Sequence, residues 1–254
     1  MPSSADSLGE LATQWTRVFE AQESRGDRAE AARHDLLVRY HHAVHRYFQE
    51  QLRDPHAAGK LFSNFALRVL EVHAFLRRAD PERGRFRDYL RTILRRMVVD
   101  HYREQQREQK KQQPLMAGSD NEPAESAATP EEDQRFIALW RQELIDQAWK
   151  ALEAAEQATG QPFASFLRYQ SDHPGCRSAD IAAHFTAVGK KYTAAGARQI
   201  VHRARERFGE LLVAEVARSL RSGDEKVPAD HIERELIELN LLFSYCKTAL
   251  EKYA

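Results

Sequence analysis

Two stretches of the sequence concentrate guanidinium and ammonium groups. Between Arg83 and Lys111, ten basic side chains (Arg83, Arg85, Arg87, Arg91, Arg95, Arg96, Arg103, Arg107, Lys110, Lys111) stand against four acids, and between Lys190 and Phe208 six stand against Glu206 alone. The whole chain carries 38 basic and 38 acidic residues, so these runs are local and not a product of bulk composition. Cations at helical spacing, interleaved with rings such as Phe86 and Tyr89, suit a nucleic acid: the charges meet phosphates and release counterions while the rings stack on bases. Charge by itself fits a solvated helix face equally well.

Other chemistry finds little footing. His41 and His45 share a helix face beside His42, but no third ligand lies near, so a packing or surface role is expected rather than a metal site. His101 and His202 read as polar surface. Cys176 and Cys246 are far apart, in no CxxC spacing, which argues against a zinc site or a disulfide scaffold and suits a reducing compartment. With no Gly-rich phosphate loop, paired-carboxylate site or nucleophile–base set, neither an enzyme nor a cofactor or metal is expected.

The elements that must position the basic residues are helical throughout. Gly and Pro are scarce, and apolar residues recur at helical spacing. Leu8, Leu11, Trp15, Val18 and Phe19 share a face. Leu36, Tyr40, Val44, Tyr47, Phe48 and Leu52 form a second amphipathic stretch, ended by Asp54-Pro55. A third runs from about Ala57 to Arg77, and a long helix follows a loop around Arg83 and runs from Phe86 beyond Arg103. After it, Pro114 to Asp133 is Pro, Ser, Ala and acid with no Lys or Arg, a composition that buries too little apolar surface to order itself. Beyond lie a helix over Phe136–Leu152, another over Phe163–Tyr169, a short one opening at Ser178 as N-cap, and a long one from about Thr193 to Leu220. A last amphipathic helix carries Ile232, Leu236, Leu239, Leu242 and Tyr245.

The expectation is an all-α chain of two small helical domains joined by a flexible acidic linker: an N-terminal extension over 1–30, a first domain over 31–108, the linker over 109–133, a second domain over 134–221 and a C-terminal helical extension over 222–254. No apolar run is long enough to span a bilayer. The start of the chain has neither a basic n-region nor an apolar h-region, so a cytoplasmic protein without membrane contact is expected.

A short helix, a connection and a longer basic helix form a helix-turn-helix pattern, whose second helix enters the major groove N-terminal end first. Thr193, Arg198 and Gln199 would then lie near base edges, with Arg203, Arg205 and Arg207 nearer phosphate or a protein partner, and Lys190 and Lys191 as further DNA contacts. The connection from Thr186 to Tyr192 is longer than the usual turn.

These residues also resemble a known family. Arg68-Val69-Leu70-Glu71, the run Phe86-Arg87-Asp88-Tyr89-Leu90-Arg91-Thr92-Ile93-Leu94-Arg95-Arg96, and Asp100-His101-Tyr102-Arg103 look like the first conserved domain of extracytoplasmic-function sigma factors of the sigma-70 family. Ala179-Asp180-Ile181-Ala182 and Ile200–Phe208 look like their second. The resemblance covers roughly Asp35 to Leu212. It implies a sigma-2-like bundle that docks on core RNA polymerase and captures single-stranded minus-ten DNA, and a sigma-4-like domain that reads the duplex minus-thirty-five element. Arg83, Arg85, Phe86 and Tyr89 would hold unpaired bases and phosphate, and Arg91, Arg95 and Arg96 would track the backbone. Phe86 and Tyr89 fit the core equally well; Leu90 and Leu94 read as core. The acidic linker would thread polymerase channels.

The sequence departs from the family at Lys60-Leu61-Phe62-Ser63-Asn64-Phe65. Typical members carry two acids here, which dock on a basic helical clamp of polymerase; Lys60 and Asn64 stand in their places, beside Ser63 and Arg68. Losing these opposite-charge contacts weakens docking. Phosphorylation of Ser63 would restore the negative charge, and a branch of the family linked to Ser/Thr kinases is similar in lacking these acids. Two other readings stay open: a helix-turn-helix regulator that never joins polymerase, and a sigma-like adaptor that binds proteins. The terminal helices would either pack on their neighbouring domains or mask DNA binding.

Overall fold

The computed structural model describes residues 27–72, 85–112, 129–189, 191–220 and 227–253, and the fold is all-helical, with no strand among them. None of these helices is long and apolar enough to cross a membrane. The expected helix over Leu8–Phe19, Arg83 with its loop, most of the acidic linker and Lys190 lie outside the described residues. The chain divides into two compact units, one made of residues 1–143 and 219–225, the other of 144–218 and 226–254.

The first unit contains α1 (Asp27–Leu52), α2 (Pro55–Leu67), a π-helical turn (Arg68–Val72), α3 (Phe86–Gln112) and the opening of α4 (Pro130–Thr159). Asp54-Pro55 does more than end α1. The Asp54 carboxylate accepts the His56 N–H at 2.9 Å, and Pro55 opens α2 with a φ already suited to a helix. Leu36, Tyr40, Val44 and Phe48 come from one face of α1 and are buried with Leu61 and Phe65 of α2, Val69, and Phe86, Leu90 and Leu94 of α3. The expected helix over 57–77 is thus two pieces, α2 and the π turn, with its end outside the described residues.

The opening of α4 belongs to this core. Tyr40 stacks on Trp140 at 5.1 Å, and Tyr47 meets Phe136 edge-on at 5.8 Å. The division between units therefore falls at 143/144, inside α4, and not at the expected 133/134. The linker ends are ordered as well: 109–112 complete α3, while Thr129 and Glu132 form a reciprocal capping box that starts α4. Pro130 sits at the first helical position, where its missing N–H is no loss.

The second unit holds the rest of α4, then α5 (Phe163–Asp172), α6 (Ser178–Val188), most of α7 (Ala194–Leu220), α8 (Ala229–Glu238) and α9 (Ser244–Leu250). Phe166 of α5, Ile181 and Ala182 of α6, and Ala197 and Val201 of α7 form one buried cluster, with Phe185 and Tyr192 packed on it. The C-terminal extension is two helices where one was expected. Asn240 takes φ 52°, its N–H bonds the Ile237 carbonyl, and the Leu241 N–H bonds Leu236. This pair of bonds around a left-handed residue is the Schellman arrangement that stops a helix.

The last helix and its end pack on α7. A β-carbon on Gly209 would lie 2.9 Å from the Tyr245 carbonyl oxygen, so only glycine allows the two backbones to come so close. Lys252 pairs with Glu210 across the same seam. Burial works against the Glu210 charge, but hydrogen bonds from Lys252 and Arg207 hold its carboxyl below the usual range. Gly209→Ala is expected to destabilise the second unit by about 1–3 kcal/mol, measured by urea unfolding. A loss below a few tenths would mean that α9 does not depend on this contact.

Candidate nucleic-acid interface

The cluster beneath α6 and α7 decides which residues of α7 face outward. Ala197, Val201 and Ala204 recur at intervals of four and three and are buried, so Arg198, Gln199, His202 and Arg203 are left exposed along the opposite strip. His202 adds a ring to this strip that its reading as plain polar surface did not assign; its Nδ1 lies 3.4 Å from Glu206. Thr193, expected at base edges, is the N-cap of α7 and accepts the Gly196 N–H at 3.0 Å.

The long connection of the sequence reading is shorter in the fold. Helix α6 runs on through Val188 and ends at Gly189, whose φ of 154° suits glycine best. The remaining turn, Gly189–Thr193, is tied by Thr186, which accepts the Tyr192 N–H at 2.9 Å. At the other end of α6, Arg177 and not Ser178 holds the N-cap position, and its N–H is accepted by Asp180 at 2.8 Å. Lys191 is exposed at the turn. Arg205 and Arg207 have partners within the unit. Arg205 turns into the unit, donating to Gln170 at 2.7 Å and lying over the Tyr245 ring, and Arg207 pairs with Glu210 at 2.8 Å.

In the first unit the single-strand candidates separate. Phe86 is 3 % exposed and packs on Tyr40 at 5.4 Å, so it is core and not a stacking surface. Arg85 and Tyr89 are half-buried. Arg91, Arg95 and Arg96 instead line a cavity of about 420 Å³, with Arg103, Tyr47, Phe136, Glu132 and Asp133 among its walls. Arg91 faces Asp133 at 2.9 Å and Asp88 at 3.8 Å. Two of the linker acids, Glu132 and Asp133, therefore reach this helix. The Thr129-Pro130-Glu131-Glu132 signature was the signal that could have found them.

Tyr47 is buried here, and its phenol is pushed up to about 12, chiefly by burial and then by Glu132. A raised acid group favours its neutral form in the fold. That stability is fully present below the ordinary value of 10.0 and is lost as pH climbs toward 12. Ultraviolet titration is expected to show one late-ionising tyrosine that Tyr47→Phe removes; an unchanged titration would count against the burial.

The proposed docking residues lie together on one face: Lys60, Ser63 and Asn64 on α2 and Arg68 at the π turn are all exposed. Ser63 donates its hydroxyl to the Gly59 carbonyl at 3.0 Å. Beside them, His41 and His45 meet Phe62 edge-on at 4.7 and 5.6 Å. Burial, then His42 and His45, hold His41 below the ordinary imidazole range. The histidines thus form a packed surface cluster, and no group of His, Cys, Asp and Glu among the described residues is arranged to hold a metal ion.

No family model, curated protein or solved structure matches this chain.

Proposed function

We propose that the chain is a sigma-type transcription factor, acting in the cytoplasm, that joins core RNA polymerase and brings it to promoter DNA. The observation that carries the reading is the α5–α6–α7 arrangement, whose core leaves Arg198, Gln199 and Arg203 exposed on the helix that a helix-turn-helix presents to the major groove. The arginines of α3 supply a second basic surface, suited to the single-stranded part of an open promoter. The protein does no chemistry in this reading, since polymerase supplies it.

The test is co-purification with core polymerase, followed by run-off transcription from genomic promoters selected by the complex. Specific transcripts support the reading. Duplex binding without polymerase leaves the second reading, a helix-turn-helix regulator. One observation favours that second reading: α2 and the exposed docking face around Ser63 carry no carboxylate from Pro55 to Leu67, so the charge that would attract a basic clamp is missing.

A Ser/Thr kinase acting on Ser63 reconciles the two. A phosphate there places about −1.5 to −2 charge between Lys60 and Asn64. Ser63→Glu is expected to tighten polymerase binding about tenfold over wild type, the worth of one charge-assisted contact, while Ser63→Ala leaves it unchanged. Equal binding by all three, measured by interferometry at fixed salt, would remove the switch.

A further inference from the structure

The arginine face of α3 is met by opposite charge from another element. Arg91, Arg95, Arg96 and Arg103 line the cavity between α3 and the opening of α4, and three carboxylates face them there. Asp100 belongs to α3 and stays with its arginines under any motion. Glu132 and Asp133 belong to the first turn of α4 and can leave. Asp133 Oδ1 lies 2.9 Å from Arg91 Nη1, yet the atom is buried and no hydrogen bond reaches it. A carboxylate oxygen stripped of water and imperfectly aligned contributes little to stability. The turn that carries it is lightly held: residues 130–135 bury no side chain, and the two capping bonds between Thr129 and Glu132 are exposed. The first anchor in the core is Phe136, against Tyr47. Terminal turns held in this way open locally at low cost.

Resting on the reading of α3 as a nucleic-acid surface, we propose that the first turn of α4 is an autoinhibitory contact. Its carboxylates occupy the place of phosphates on α3, and a strand binds α3 by lifting that turn. The acids are tethered, so they compete at the high effective concentration of an intramolecular partner. A strand held by one or two phosphates does not displace them. A strand that meets several arginines at once does, since each phosphate contact releases counterions. The exchange leaves the core in place, because Phe136 and Trp140 keep the following turns of α4 against Tyr47 and Tyr40. The contact thus sets a threshold that rejects chance polyanions.

The experiment is binding of labelled oligo(dT) to the full chain, followed by anisotropy at fixed salt. Asp133→Asn with Glu132→Gln is expected to tighten binding about tenfold; glutamine still serves a capping box, so the helix start is kept. Glu131→Gln removes a charge from the same turn at an exposed position off the cavity, and should change binding less than about twofold. Arg91→Gln should also cost less than about twofold in wild type, where Asp133 already holds that guanidinium, but about fivefold or more in the Asp133→Asn chain. Amide exchange of wild type should show residues 131–135 losing protection when oligo(dT) binds. Binding by the Asp133/Glu132 variant no tighter than wild type overturns the proposal and leaves the promoter reading intact. An equal gain from Glu131→Gln, an equal effect of Arg91→Gln in both chains, or a turn that stays protected in the complex also overturns it. If no chain binds oligo(dT), the proposal falls and α3 leaves the promoter reading with it.

Discussion

Phe166→Ala is expected to destabilise the second unit by about 3–5 kcal/mol and to abolish duplex binding with it. The side chain is fully buried, stacked on Phe185 at 4.0 Å and edge-on to Tyr192 at 5.0 Å. It therefore sits where α5, the body of α6 and the turn before α7 converge. Truncation removes the ring that fixes the turn, and a loss of this size is a large share of the 5–15 kcal/mol typical of a domain. Phe166→Leu, which keeps most of the volume, should cost about 1.5 kcal/mol or less and retain binding. Urea unfolding followed by circular dichroism, with anisotropy on a duplex, measures both effects. A Phe166→Ala protein that unfolds within about 1 kcal/mol of wild type would show that this cluster does not hold the reading helix.

Arg198→Ala combined with Gln199→Ala is expected to weaken binding to a selected promoter duplex roughly a hundredfold, at about 1–3 kcal/mol for each base-edge contact. The protein should remain folded, since both side chains are exposed and the buried faces of α7 are untouched. A scrambled duplex should lose far less, because phosphate contacts carry no sequence information. Lys191→Ala provides the contrast: a nearly uniform loss on both duplexes and a salt slope shallower by about one. Anisotropy at several salt concentrations on both duplexes separates the two behaviours. Equal losses on the two duplexes from the Arg198/Gln199 change would place these residues on phosphate, not on bases.

Much of the fold was legible because burial follows the helical period. Leu36, Tyr40, Val44 and Phe48, or Ala197, Val201 and Ala204, announce their faces by spacing alone. What the period does not reveal is where a helix stops or what covers it. Thr129-Pro130-Glu131-Glu132 spells a helix start, but it follows an acidic, Ser- and Ala-rich stretch whose composition hides that local capping chemistry. Asn240 looked like one more polar residue of an amphipathic helix; only its left-handed backbone, with two hydrogen bonds around it, makes it a stop. Phe86 was ambiguous for a different reason. A ring beside arginines fits a base or a core equally well, and its contact with Tyr40, 46 residues earlier in the chain, decides for the core. The exposed strip of α7 was readable, whereas the inward turn of Arg205 depends on Gln170 and Tyr245, long-range partners that spacing does not contain.

The placement of the unit boundary inside α4 bears on how this chain can be taken apart and recombined. A cut at 133/134, which composition recommends, would strip Phe136, Leu139 and Trp140 from the N-terminal piece and leave the rings of Tyr40 and Tyr47 without their cover. Such a fragment carries a bare aromatic seam and is a candidate for aggregation. Any graft, chimera or natural fusion that exchanges the second unit must bring its junction beyond Glu143. The low-complexity stretch is thus the wrong seam for modular exchange, because the first turns of α4 belong to the core that precedes it.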